Sequence, residues 1–171
     1  MTETRLFASN VCDGYFGTKR FDRGPSGERI HMLTAAALLE LDYRQPSLDY
    51  HSLMKLTKIL TRDNQKEMES MFRRMCFNVF AHNRDDHSKY FSWLHDEKTD
   101  TWSLSPAYDL TYSSTYYGEH TTTVDGNGRN PGTKELLAVG VQAGLKKQTC
   151  EEMIGEISSR VREMLGEWVR D

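Results

Sequence analysis

The sequence predicts one mainly helical domain, with a β-hairpin set inside it and one or two short strands at its N-terminus. Three observations predict this class. Apolar residues recur every three or four positions over 65–80 and again over 149–168, the period of a helix with one buried face. Two short β-like runs, F-S-W-L at 91–94 and W-S-L at 102–104, flank a charged turn. Near the start, Asp13-Gly14 marks a tight turn between two strand-like pieces. A chain of 171 residues with 37% hydrophobic and 27% charged residues is globular, and its size fits a single domain.

In chain order, residues 7–11 read as a strand and 15–19 as its partner. The polar segment 20–29, with two glycines and a proline, reads as a loop. Residues 31–41 are rich in Ala and Leu and read as a helix ended by Pro46. Ser47-Leu48-Asp49 offers capping side chains to a helix over 50–60 that carries Leu53, Leu56 and Leu60 on one face. Asp63 or Asn64 caps a third helix, which runs to about Phe80 and packs Met68, Met71, Phe72, Met75 and Val79 into the core. Residues 111–130 form a long polar loop, a feature often tied to function in compact domains. Pro131-Gly132-Thr133 opens a helix over 134–144. A last helix runs from about Thr149 to Trp168, with Ile154, Ile157, Val161, Leu165 and Trp168 in register.

Composition narrows the function. A net charge of −3 supplies no basic field, so direct nucleic-acid binding is not expected. Cys12, Cys76 and Cys150 are far apart and odd in number, which favours free thiols in a reducing compartment. The polar opening Thr2-Glu3-Thr4-Arg5 does not read as a secretory leader. No run reaches the ~18 apolar residues of a membrane span. A cytoplasmic protein with no membrane association is expected.

The chemistry concentrates between Ala81 and Leu110. From His82 to Lys89 the chain holds two His, two Asp, one Asn and one Lys, and then enters apolar Phe91 and Trp93, which pin the loop to the core. Asp109 stands behind Pro106 between Tyr108 and Leu110, in an aromatic, apolar setting where an unpaired carboxylate is costly. Such a carboxylate is often a metal ligand or a base. A solvated capping loop is the plain alternative. A transition-metal site from His82, His87 and Asp85 or Asp86 is a weaker one, because the His spacing does not match one helix face and no Cys pairs support zinc. There is no G-x-S-x-G elbow for a serine hydrolase and no G-x-x-x-x-G-K-[ST] loop. Phosphoryl transfer fits the residues that remain. Asp85 can accept the hydroxyl proton of a substrate, Lys89 can offset phosphate charge, and Asp109 can hold Mg²⁺ across the phosphates. The two acids are 24 positions apart, with room for a hairpin that brings both to one cleft.

Residues 83–92 read N-R-D-D-H-S-K-Y-F-S, and residues 106–110 read P-A-Y-D-L. On these two motifs the chain resembles the C-terminal domain of HipA-like serine/threonine kinases, the toxins of bacterial toxin–antitoxin modules. That family carries a pattern close to N-x-D-x-H-x-K-N-F-S followed by P-x-Y-D-L. R-F-D-R at 20–23, S-L-D-Y at 47–50 and D-G-N-G-R-N-P at 125–131 also look like family segments, so the resemblance covers nearly the whole chain. It implies the helical lower lobe of a kinase-like fold, with residues 1–24 as a strand and hinge remnant and 30–171 as the lobe. It also implies transfer of phosphate from ATP, with Mg²⁺, to Ser or Thr of a protein substrate. Asp85 matches the catalytic base and Asp109 the Mg²⁺-binding residue. His87 and Lys89 match positions that shape the site or touch phosphate, and Phe21 falls in the hinge that contacts adenine. A DNA-binding antitoxin protein is the implied partner.

Two departures bear on activity. Tyr90 stands where the family pattern has a metal-binding Asn, leaving Asp86 nearby as a substitute donor. Before Lys19 there is no Gly-rich loop and no strand lysine, the upper-lobe parts that hold ATP phosphates. The resemblance therefore implies an incomplete kinase, either a fragment of a longer kinase or one half of a split kinase whose upper lobe is another chain; the split version expects an exposed apolar patch near residues 5–20 where that lobe docks. The alternative is a non-catalytic remnant or partner-binding module derived from such a kinase.

Overall fold

The two long helices ahead of the acid loop begin at side-chain caps, one of which also closes a small sheet. The computed structural model describes residues 1–115 and 117–168. Strands β1 (Thr4–Phe7) and β2 (Tyr15–Thr18) form an antiparallel hairpin. Strand β3 (His31–Thr34) runs into the single-turn helix α1 (Ala35–Leu38). The two-residue strand β4 (Leu48–Asp49) leads into α2 (Tyr50–Leu60), and α3 (Gln65–Phe80) follows. Next come a 3-10 turn at Ser88–Tyr90, the hairpin of β5 (Ser92–Asp96) and β6 (Thr101–Leu104), and the short strand β7 (Thr122–Thr123). Helices α4 (Thr133–Gln142) and α5 (Lys147–Trp168) complete the order.

Asn64 Oδ1 accepts from the backbone N–H of Lys66 at 3.0 Å and of Glu67 at 3.4 Å, so α3 starts where its cap predicts. Asp49 caps α2 through Oδ1, 2.8 Å from the N–H of His51. Its Oδ2 accepts from the Thr123 hydroxyl at 2.6 Å and the Gly126 N–H at 2.9 Å. The same carboxylate thus starts a helix and holds β7 parallel to β4, Leu48 opposite Thr122. The methionine-rich face of α3 is core, as its spacing predicts. Met71, Phe72, Met75 and Cys76 are fully buried against Leu53 and Met54 of α2, Leu136 and Val139 of α4, and Cys150 of α5. Phe91 and Trp93 bring the β3-β5-β6 sheet onto this core, with Leu33 and Leu104 flanking Trp93 in register.

Several expectations are corrected. The first strand is Thr4–Phe7 rather than 7–11, because its ladder with β2 sets Leu6 opposite Phe16 and continues to a Lys19 N–H···O Glu3 bond of 2.9 Å. The helix expected over 31–41 is confined to Ala35–Leu38. Residues 31–34 pair with residues 92–95 of β5, and this backbone ladder outweighs the Ala-rich helix preference beyond it. The hairpin flanked by the two acids is therefore two strands of a three-stranded sheet. On α5, Ile154 is buried, but Leu165 is 49% exposed because the helix runs past the core; the Trp168 side chain lies outside the described residues. The β1–β2 hairpin leaves Leu6, Phe7, Val11, Tyr15 and Phe16 in solvent, an apolar surface in the region where one was expected. Among the described residues, no helix is long and apolar enough to cross a membrane.

Gly140 marks the closest approach of α4 to its neighbours. A Cβ there would sit 2.5 Å from Phe72 and 2.6 Å from Cys150 Sγ. Ala is the better helix former by about 1 kcal/mol, but overpacking costs about 1–3 kcal/mol. Gly140→Ala is expected to lower the urea midpoint, whereas Gly155→Ala, with nothing within 4 Å, is expected to hold or raise it.

Candidate active site

The loop that follows α3 is anchored by a relay of hydrogen bonds. Asn83 Nδ2 donates to Asn78 Oδ1 at 2.9 Å, Asn78 Nδ2 donates to the Tyr50 hydroxyl oxygen at 2.8 Å, and Tyr50 donates to Asp86 Oδ2 at 3.0 Å. His120 Nδ1 lies 3.1 Å from the same oxygen, and the Thr122 N–H donates to Asp86 Oδ1 at 3.0 Å. The Thr122 hydroxyl closes on the Asp86 carbonyl. Burial first, and then the Asp86 charge, push the Tyr50 phenol well above its usual range, so it remains a donor. Asp86 is only 1% exposed. It does not substitute as a metal donor, because both its oxygens are committed to these partners.

Its neighbour Asp85 is exposed. Asp85 borders an open cavity of about 600 Å³ with Ser113, Ser114, Thr115 and Thr121. That wall is stitched to the loop by Ser113 N–H to His82 O at 3.0 Å and by Thr121, whose N–H and hydroxyl reach Arg84 O at 3.0 and 3.1 Å. His87 Nδ1 accepts from the Lys89 N–H at 3.3 Å and so starts the 3-10 turn; its ring stacks on Tyr90 at 4.0 Å. The Lys89 ammonium sits 3.4 Å from the centre of the Tyr43 ring, a cation–π contact that holds it at the rim.

Asp109 is exposed, contrary to the apolar setting expected for it. Its backbone takes the left-handed conformation, φ 53°, which Asp tolerates better than most residues. Its apolar surroundings are filled instead by Tyr108, whose hydroxyl donates to Lys89 O at 2.6 Å. Asp109 borders a cavity of about 210 Å³ with Thr2, Thr4, Thr18 and Thr111. Phe21 packs on Tyr108 with ring centres 5.2 Å apart. The next residue, Asp22, is gripped by Arg20 and Arg23; the Arg20 hydrogen bond foremost holds its carboxyl down at about 2.

Tyr90 joins the two acids. Its ring lies between His87 and Tyr108. The Asp109 carboxylate foremost, then burial, then the charge of Asp85 push its phenol far above the usual range. Asp85, His87, Lys89, Asp109 and Phe21 are thus brought to one region, linked through Tyr90 and Tyr108. The metal set of His82, His87 and Asp85 or Asp86 is not assembled, and no group of three such ligands occurs among the described residues. Sequence reasoning missed the roles of Asp86, His120, Thr122 and Tyr43. The β-branched run T-T-T-V at 121–124 is the signal for β7, but nothing local marks Tyr43.

The chain belongs to the family of HipA-like C-terminal domains: the family model matches residues 1–165. Its fold is similar to that of HipA from Shewanella oneidensis MR-1, solved as a complex of a toxin–antitoxin system with HipB and operator DNA. The TM-score is 0.77 at 17% identity, covering 99% of this chain and 45% of that one. The chain therefore spans less than half the length of that relative, and at this identity the likeness is one of fold. A search of curated proteins gives no significant match.

The adjacent acids should respond in opposite ways to truncation. Asp86→Ala leaves Tyr50, His120 and Thr122 donors buried without an acceptor, and should cost about 3–5 kcal/mol in urea unfolding. Asp85→Ala, on the surface, should fall within about 0.5 kcal/mol of the parent.

Proposed function

We propose that this chain is the lower lobe of a HipA-like serine/threonine kinase and carries the acidic half of an ATP- and Mg²⁺-dependent phosphoryl-transfer site. The observation that carries this reading is the link between the two acid-bearing segments in a chain of this family: Tyr90, in the loop of Asp85, meets Tyr108, next to Asp109, with ring centres 6.1 Å apart, and the Tyr108 hydroxyl bonds Lys89 O at 2.6 Å. Asp85 is free for proton transfer because its neighbour does the anchoring. It would accept the proton of a substrate hydroxyl as that oxygen bonds the terminal phosphorus of ATP and the bond to the leaving ADP breaks, with the protein substrate lying beside Ser113, Ser114, Thr115 and Thr121. Lys89, released from Tyr43, offsets phosphate charge. Phe21 borders the adenine through its backbone groups.

The donors suit Mg²⁺, which prefers oxygen and is usually held by one or two carboxylates together with substrate phosphates. Asp109 is an exposed carboxylate flanked by threonines and fits that role. The bound ion would neutralise charge on the phosphates. Tyr90, kept protonated by the two acids, is a poor replacement for an amide oxygen and leaves Asp109 as the main protein ligand.

The exposed apolar hairpin supports docking of an upper lobe there, supplied by a longer polypeptide or by another chain. A toxin–antitoxin role with an antitoxin protein as partner is proposed from the family and from the HipB complex of the structural neighbour. Tyr90 favours a second reading, a non-catalytic partner-binding module descended from such a kinase.

Calorimetry separates the two. The kinase reading expects ATP binding that requires Mg²⁺, is abolished by Asp109→Ala and is strengthened roughly tenfold, about 1.4 kcal/mol, by Tyr90→Asn. ATP binding that is absent in every variant, with Mg²⁺ present, overturns a half-site that works on its own and favours the non-catalytic module unless an upper lobe restores binding.

A further inference from the structure

A cavity of about 550 Å³ lies between α3 and the segment after β6; it shares Ala107 and Leu110 with the Asp109 cavity but is not lined by the residues assigned to phosphoryl transfer. Its apolar border includes Phe77, Leu104, Leu110 and Ile157. Arg74 also lines it and is only 9% exposed. Nη2 of Arg74 donates to the Ser105 carbonyl, while Nη1 is buried with no hydrogen-bond partner among the described residues. The acid beside it, Glu67, has Oε2 engaged by the Leu104 N–H at 2.8 Å. Neighbouring Arg73 is paired with Glu156 at 2.8 Å, so that acid is occupied as well. Burial lowers the Arg74 pKa only to about 10, so the guanidinium stays charged at neutral pH. A buried cation without a hydrogen-bonded counter-charge is costly to a fold. Here it borders a space large enough for a small ligand.

We infer that this cavity binds an organic carboxylate with a short apolar body, the carboxylate meeting Arg74 Nη1 and the body packing on Phe77, Leu104 and Leu110. The planar guanidinium edge matches a carboxylate. The apolar walls reward a hydrocarbon body. One cation beside the Glu67 carboxylate suits a single negative charge and disfavours a multiply charged phosphate.

The test titrates hexanoate into the full chain, followed by amide spectra. Hexanamide serves as the neutral twin and inorganic phosphate as the anion without a body. Expected are saturable shifts at Phe77, Leu104 and Arg74 with hexanoate, roughly tenfold weaker binding of hexanamide, and no response there to phosphate. Arg74→Gln should erase the preference for acid over amide. Should that variant not fold, Ser70→Trp at the exposed rim keeps Arg74 and should block hexanoate. The inference fails if acid and amide bind equally, if hexanoate gives no saturable shift or shifts residues elsewhere, if Ser70→Trp leaves the response intact, or if phosphate binds in its place. None of these readouts involves nucleotide, so they stand apart from the kinase reading.

Discussion

Asp86 accepts hydrogen bonds from α2, through Tyr50, and from the segment at 120–122, through His120 and Thr122. A carboxylate removed from water is tolerable only when its lone pairs are met, and here each oxygen has at least one donor. The acid loop can therefore sit in only one way relative to the helices. Asp85 owes its exposure, and the hydroxyl-lined wall owes its position, to this neighbour. Buried charge of this kind contributes little net stability compared with apolar packing, but it fixes geometry. The proposed phosphoryl transfer would depend on that geometry.

The long helices were legible from sequence because their signals are local. Asn64 and Asp49 stand directly before the helices they cap, and the stripe on α3 repeats over four turns. Residues 31–34 were misread because their partner is β5, some sixty residues away; without that partner the alanines that follow look like the centre of a helix. Between Asp85 and Asp86 the sequence offers no distinction, since they are identical neighbours and the donors that bury one of them lie over thirty positions to either side. Asp109 was misplaced for a subtler reason. Its neighbours are apolar, but a left-handed backbone at one residue lets it part from their burial. Pattern reasoning sees the side chains around a residue and not its φ angle.

Aromatic rings connect the parts of the candidate site that hydrogen bonds do not. Phe21 meets Tyr108, Tyr108 meets Tyr90, Tyr90 stacks on His87, and His87 meets Tyr43, which carries Lys89. The ladder joins the segment after β2 to the loop before β4. It gives Tyr90 a structural occupation independent of any ligand, because an asparagine there would interrupt the ladder at its centre. The departure from the family motif is thus accommodated by packing on both sides of the ring.

Asp49 carries a consequence for the order in which the molecule can be assembled. Its Oδ1 finds the N–H of His51 two residues on, so α2 can be capped as soon as it emerges from a ribosome. Its Oδ2 waits for Thr123 and Gly126, 74 and 77 positions later. Until that point in synthesis the acid loop has no β7 to lie against, and its charged residues remain hydrated and unplaced. Contacts of such long range form late and slow the final step of folding. A chain truncated before residue 122 would contain Asp85 and Asp109 but lack the Thr122 anchor that holds their loop.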